Sequence, residues 1–143
     1  MLVEQWMSKK VHAIKPLDSI LHARQLMVNH RVNQLPVIVD GKLVGIITDR
    51  DLRDAFPSAF EGSSPEVEKK HKLQGTDPKS IPVELVMART PLSVARNDSV
   101  ADAARLMRKE RIGAVPVLDA GHVVGILTRS DLLDALVALS DRG

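Results

Sequence analysis

At 143 residues, with 44 % apolar and 27 % charged side chains, the chain has a globular balance that excludes disorder and is long enough for one domain or two very small ones. The absence of cysteine excludes disulfides, thiolate metal sites and cysteine nucleophiles. A net charge of +2 is too small for a nucleic-acid footprint, and the only aromatics, Trp6, Phe56 and Phe60, leave no stacking platform for single strands.

Sliding the chain against itself by 80 positions aligns Val3–Ala55 with Val83–Ala135 without gaps, at 20 identities in 53 positions. Chance gives about three on average residue usage. One structural unit is therefore used twice. In chain order, each copy opens on an extended apolar stretch, His12-Ala13-Ile14-Lys15 and Leu92-Ser93-Val94-Ala95. A helix then starts at Asp18-Ser19 and Asp98-Ser99, whose side-chain oxygens suit an N-cap. Ile20, Ala23 and Met27, matched by Val100, Ala103 and Met107, form its inward stripe at helical spacing. Two β-branched runs follow, joined by turn residues Asp40-Gly41 and Ala120-Gly121, which predicts a hairpin. A second helix begins after Thr48 and Thr128. The order is strand, helix, strand, strand, helix in both copies.

The copies span 1–56 and 83–143, with a linker at 57–82. Phe56-Pro57-Ser58 should break the preceding helix. Ser64-Pro65-Glu66 is a helix start and Gly75 a stop, which predicts a charged helix over about 65–74. The charge run from Glu66 to Lys72 reads as a solvated helix face. No apolar run reaches the roughly 20 residues of a membrane span, and Met1-Leu2-Val3-Glu4 does not open a signal peptide, so a cytoplasmic location is expected.

The strongest chemical signal is Gly45-Ile46-Ile47-Thr48-Asp49-Arg50-Asp51, repeated as Gly125-Ile126-Leu127-Thr128-Arg129-Ser130-Asp131. Two readings stand side by side. In one, Thr and Asp merely cap the helix. In the other, the free amides of a helix N-terminus after a strand face a phosphate, and Asp accepts from a ribose diol. The five histidines, His12, His22, His30, His71 and His122, show no close ligand spacing, so no metal site is expected. No catalytic triad or carboxylate pair can be assembled. Met7, Met27, Met87 and Met107 occupy equivalent repeat positions and read as core.

Leu35-Pro36-Val37-Ile38 and Val115-Pro116-Val117-Leu118, each followed by Gly-x-x-Thr-x-x-Asp, resemble cystathionine β-synthase (CBS) domains, a tandem pair of which makes a Bateman module. The opening Val3-Glu4-Gln5-Trp6-Met7 and the long linker also look like stand-alone CBS proteins of the acetoin-utilisation type. The resemblance implies an α/β fold of two β-α-β-β-α repeats packed with pseudo-two-fold symmetry, binding adenosine nucleotides in clefts between repeats. It implies one cleft with Thr48 and Asp51 beside Leu92, Ala114, Val115 and Pro116. The other would hold Thr128 and Asp131 beside His12, Lys15, Asn33, Gln34, Leu35 and Pro36, with Arg50 near the phosphate. Lys9, Lys10, His12 and Lys15 make the Asp131 cleft the more cationic. The equivalent residues Arg89, Thr90, Leu92 and Ala95 carry less charge.

The chain is thus read as a non-enzymatic regulatory module, with an adenosine nucleotide as ligand and no covalent cofactor. An interaction scaffold with empty clefts is the first alternative. A nucleic-acid-binding protein is the second, favoured by a pI of about 9.1 and disfavoured by the scarce aromatics. A homodimer is expected because Leu132, Leu133, Ala135, Leu136, Val137, Ala138 and Leu139 make the last helix apolar nearly all round.

Overall fold

The computed structural model describes residues 1–55, 77–89 and 91–142. The helix expected over 65–74, the breaker at 56–58 and the charge run at 66–72 lie outside the described residues. Helices α1 (Ile20–His30) and α2 (Asp49–Ala55) and strands β1 (Gln34–Val39) and β2 (Lys42–Thr48) build the first repeat. Strands β3 (Val94–Ala95), β4 (Ala114–Asp119) and β5 (His122–Thr128) and helices α3 (Val100–Glu110) and α4 (Arg129–Arg142) build the second.

The expected local signals are the ones that act. The Ser19 hydroxyl accepts from the His22 amide at 3.0 Å, and the Ser99 hydroxyl from the Asp102 amide at 3.0 Å. The preceding aspartates fold back instead. Asp18 Oδ2 accepts from the Lys15 amide at 3.1 Å, and Asp98 Oδ2 from the Ala95 amide at 2.8 Å. Each carboxylate thereby bends the extended stretch into its helix. Asp40 and Gly41 adopt φ of 50° and 81°, and Ala120 and Gly121 adopt 51° and 82°. Both central residues in the left-handed region suit the tight turn that matches strand twist. β1 pairs antiparallel with β2, and β4 with β5. The entry stretches add a parallel edge, Ile14 beside Val37 and Val94 beside Val117.

Packing divides the chain into two compact units, one of Met1–Val11 with Leu92–Gly143 and one of His12–Pro91. The first eleven residues therefore pack with the second repeat, and the segment before Pro91 packs with the first. The Val3 and Glu4 amides donate to the Asp98 and Arg96 carbonyls, and Ser8 and Ile126 exchange both main-chain bonds at 2.9 Å. In the other unit the Val83 and Glu84 amides donate to Asp18 and Pro16, and Ala88 and Ile46 exchange both bonds. Val3 completes the core of Val94, Ala103, Met107, Val115, Val117 and Leu127. Ile81 and Val83 complete that of Ile14, Ile20, Ala23, Met27, Leu35, Val37, Ile47 and Leu52. Met27 and Met107 are buried, while Met87 and Met7 pack against the two cores from their margins, so the four methionines are packing residues.

Candidate ligand-binding site

Each unit carries one copy of the Thr-x-x-Asp motif where a central strand runs straight into a helix. In the first repeat the Thr48 amide donates to Asp51 Oδ2 at 2.9 Å, and the Asp51 amide donates to Thr48 Oγ1 at 3.1 Å. In the second, the Thr128 amide donates to Asp131 Oδ2 at 2.8 Å, and the Asp131 amide to Thr128 Oγ1 at 3.2 Å. This is a reciprocal capping box. The capping reading is therefore realised, but it uses one carboxylate oxygen of each aspartate. Oδ1 of Asp51 and of Asp131 takes no partner among the described residues. Both aspartates are half-buried, so the second oxygen is oriented by the cap and still acceptor-ready. The two readings of the motif are compatible.

The loop before the first strand of each hairpin is tied to the same helix end. The Asp49 amide donates to the Asn33 carbonyl at 2.9 Å and the Arg129 amide to that of Gly113 at 3.1 Å. Gln34 pairs with Thr48 and Ala114 with Thr128. The first unit-wide grouping is thus Thr48, Asp51 and Arg50 with Asn33, Gln34, Leu35 and Pro36, the last accepting from the Ile14 amide. His12 stacks on His30, with ring centroids 3.7 Å apart and planes 12° from parallel. Lys15 is exposed. The second grouping is Thr128 and Asp131 with Ala114, Val115 and Pro116, and Leu92 stands two residues before β3.

One atom stands out chemically. Gln34 Nε2 is buried and has no hydrogen-bond partner among the described residues. A buried unpaired donor costs about 1–3 kcal/mol, so a ligand acceptor there would be favourable. Gln34 belongs to the set that the family resemblance implies. Arg108, Arg111 and Arg129, which hold no fixed position in any motif in the sequence, line one cavity between α3 and α4. The signal was available in the 80-residue register, where Val28 and Asp49 stand opposite Arg108 and Arg129. Among the described residues no group of three or more histidine, aspartate or glutamate side chains could hold a metal ion, and no helix is long and apolar enough to cross a membrane.

The profile of the CBS domain matches residues 3–58 and again 83–138. A CBS domain-containing protein of Dictyostelium discoideum is 40 % identical over 143 residues, covering 95 % of this chain and 91 % of that one. The crystal structure of CBSX2 in complex with AMP superposes with a TM-score of 0.77 at 31 % identity, over 97 % of this chain and 98 % of that one; CBSX2 is an Arabidopsis thaliana protein. The CBS domain pair of the protein MJ0100, in complex with 5-methylthioadenosine and S-adenosylmethionine, superposes with a TM-score of 0.73 at 28 % identity, over 95 % of this chain and 99 % of that one. A match to an enzyme, homoserine O-acetyltransferase of Methanocorpusculum labreanum, is 31 % identical but covers only 23 % of that protein.

Proposed function

The chain belongs to the CBS domain family as a tandem pair, and from that premise we propose that it is a regulatory module that binds an adenosine nucleotide and performs no catalysis of its own. The observation that carries the reading is the Thr–Asp box in both repeats with one carboxylate oxygen unspent. The cap fixes the aspartate while Oδ1 accepts from a ribose hydroxyl, and amides at the helix start face a phosphate. AMP bound to one relative of 31 % identity, and 5-methylthioadenosine and S-adenosylmethionine bound to another of 28 %, support the adenosine moiety as the shared element.

In this proposal Thr128 and Asp131 work with His12, Lys15, Asn33, Gln34, Leu35, Pro36 and Arg50, and Thr48 and Asp51 with Leu92, Ala114, Val115 and Pro116. The Asp131 site takes phosphate-bearing ligands preferentially, because its set holds Lys15 and Arg50 and Gln34 Nε2, which has no partner among the described residues. Ligand binding then biases the pose of the chain that a partner reads. A homodimer and a cytoplasmic location are part of the same proposal. The dimer is supported by α4, where Leu133, Leu136, Val137 and Leu139 are 61 %, 57 %, 59 % and 57 % exposed.

Calorimetry with AMP, ADP, ATP and S-adenosylmethionine tests the reading. Asp131→Asn keeps a cap acceptor but removes the charge, and should weaken nucleotide binding by about 1.5–3 kcal/mol, the range for a hydrogen bond to a charged group. Asp51→Asn should weaken it less. Unchanged affinity in Asp131→Asn removes the ribose role, and no affinity for any adenosine compound leaves the scaffold reading in its place.

A further inference from the structure

Between α3 and α4, within the unit of the second repeat, lies a cavity of about 370 Å³ with a floor of Ala104, Met107, Ile112 and Leu132 and a rim of Arg108, Arg111 and Arg129. We infer that this three-arginine cavity binds a small multivalent phosphate, at a site separate from the Thr128–Asp131 motif. Successive helical residues are 100° apart, so Arg129 and Asp131 project from α4 about 200° apart, on opposite faces of its first turn.

No acidic side chain lines the cavity, and none of the three guanidinium groups makes an ion pair or hydrogen bond among the described residues. Three unpaired guanidinium forks around an apolar floor repel one another, and a bidentate phosphate relieves that repulsion better than a single-charged ion. The floor lowers the local dielectric and so strengthens the attraction. The size suits a small ligand, at the lower end of the range of binding cavities.

The placement of Arg129 is a second, independent sign. It is the first residue of the fourteen-residue α4, where the positive end of the helix dipole disfavours a cation. The first repeat has Asp49 at that position, which the dipole favours and which pairs with Arg53 at 3.2 Å. There the equivalent cavity is lined by Asp49, Asn33 and Val28 along with Arg24 and Arg31. The second repeat thus gives up a favourable helix start, and the Arg129 guanidinium lies over Gly113, with Cζ 3.4 Å from where a Cβ there would stand, an ordinary van der Waals distance. Arg108 and Lys109 suit the last turn of α3 by dipole alone, but the dipole explains neither Arg129 nor the convergence of three arginines.

Isothermal titration of the full chain with inorganic triphosphate, orthophosphate and citrate at low salt tests the site. Triphosphate should bind, with affinity falling steeply as salt rises, and more tightly than orthophosphate or citrate. The pair Arg108→Gln and Arg111→Asn should lose at least tenfold in affinity, whereas Lys109→Gln should stay within twofold. Arg129→Asp should also lose at least tenfold while raising the melting temperature, because it restores the favourable helix start. That signature separates a lost ligand contact from a damaged fold. No binding of triphosphate, equal binding of citrate, or an equal loss in Lys109→Gln overturns the site. Loss confined to the pair Lys15→Gln and Arg50→Gln also overturns it and assigns the phosphate to the nucleotide site instead.

Discussion

Gly125→Ala probes why the motif begins with glycine. A Cβ at Gly125 would lie 2.5 Å from Met7 Sδ, 2.8 Å from the Ser8 carbonyl oxygen and 3.0 Å from Met7 Cγ. The thioether can swing aside, but the carbonyl cannot, because Ser8 and Ile126 hold each other through two main-chain bonds of 2.9 Å. The backbone of Gly125 is outside the left-handed region, so alanine is conformationally tolerated and the conflict is steric. Overpacking costs about 1–3 kcal/mol, and loosening two hydrogen bonds costs about 1 kcal/mol each. Reduced freedom of the unfolded chain returns about 0.4–1 kcal/mol. A net loss of about 2–4.5 kcal/mol is expected, a fall in Tm of roughly 7–15 °C at this chain length. Urea unfolding of Gly125→Ala, of Met7→Ala and of the double variant measures it. The double variant should recover about 1 kcal/mol relative to additivity, since it relieves the thioether conflict and leaves the carbonyl conflict. A loss under about 0.5 kcal/mol in Gly125→Ala, or strict additivity, refutes the placement of the first residues against the second repeat.

Gly45→Ala should cost as much, since its Cβ would lie 2.5 Å from Met87 Sδ and 2.9 Å from the Ala88 carbonyl oxygen. Thr128→Ala should cost about 1 kcal/mol of stability through the lost cap, seen as a lower urea midpoint with an unchanged slope. Ala120→Asn should stabilise by about 0.5–1 kcal/mol, because φ of 51° there suits asparagine better than alanine; a lower melting temperature contradicts the turn geometry. For the proposed dimer, light scattering at micromolar concentration should give about twice the 15.7 kDa chain mass, and Leu136→Asp should halve it. A wild-type mass at the chain weight refutes the dimer.

The repeat, the element order and the helix and hairpin boundaries were legible in the amino-acid sequence because they depend on neighbours a few residues apart. Ser19 and Ser99 cap from three residues away, and Asp40-Gly41 supplies the two left-handed residues a tight turn requires. The capping box was legible for the same reason, with Thr and Asp at fixed spacing. The sequence could not decide which repeat receives the first eleven residues. Val3-Glu4 and Val83-Glu84 present the same chemistry to the same acceptors, the carbonyls of residues 18 and 16 or of 98 and 96. Local pattern is therefore degenerate between the two docking sites. Only the folded chain selects one, by burying Val3 against Val94 and Leu127 and Val83 against Ile14 and Ile47. The three-arginine cavity was hidden for a related reason. Arg108, Arg111 and Arg129 read as scattered surface charge along the chain, and only the packing of α4 beside α3 brings them to one rim.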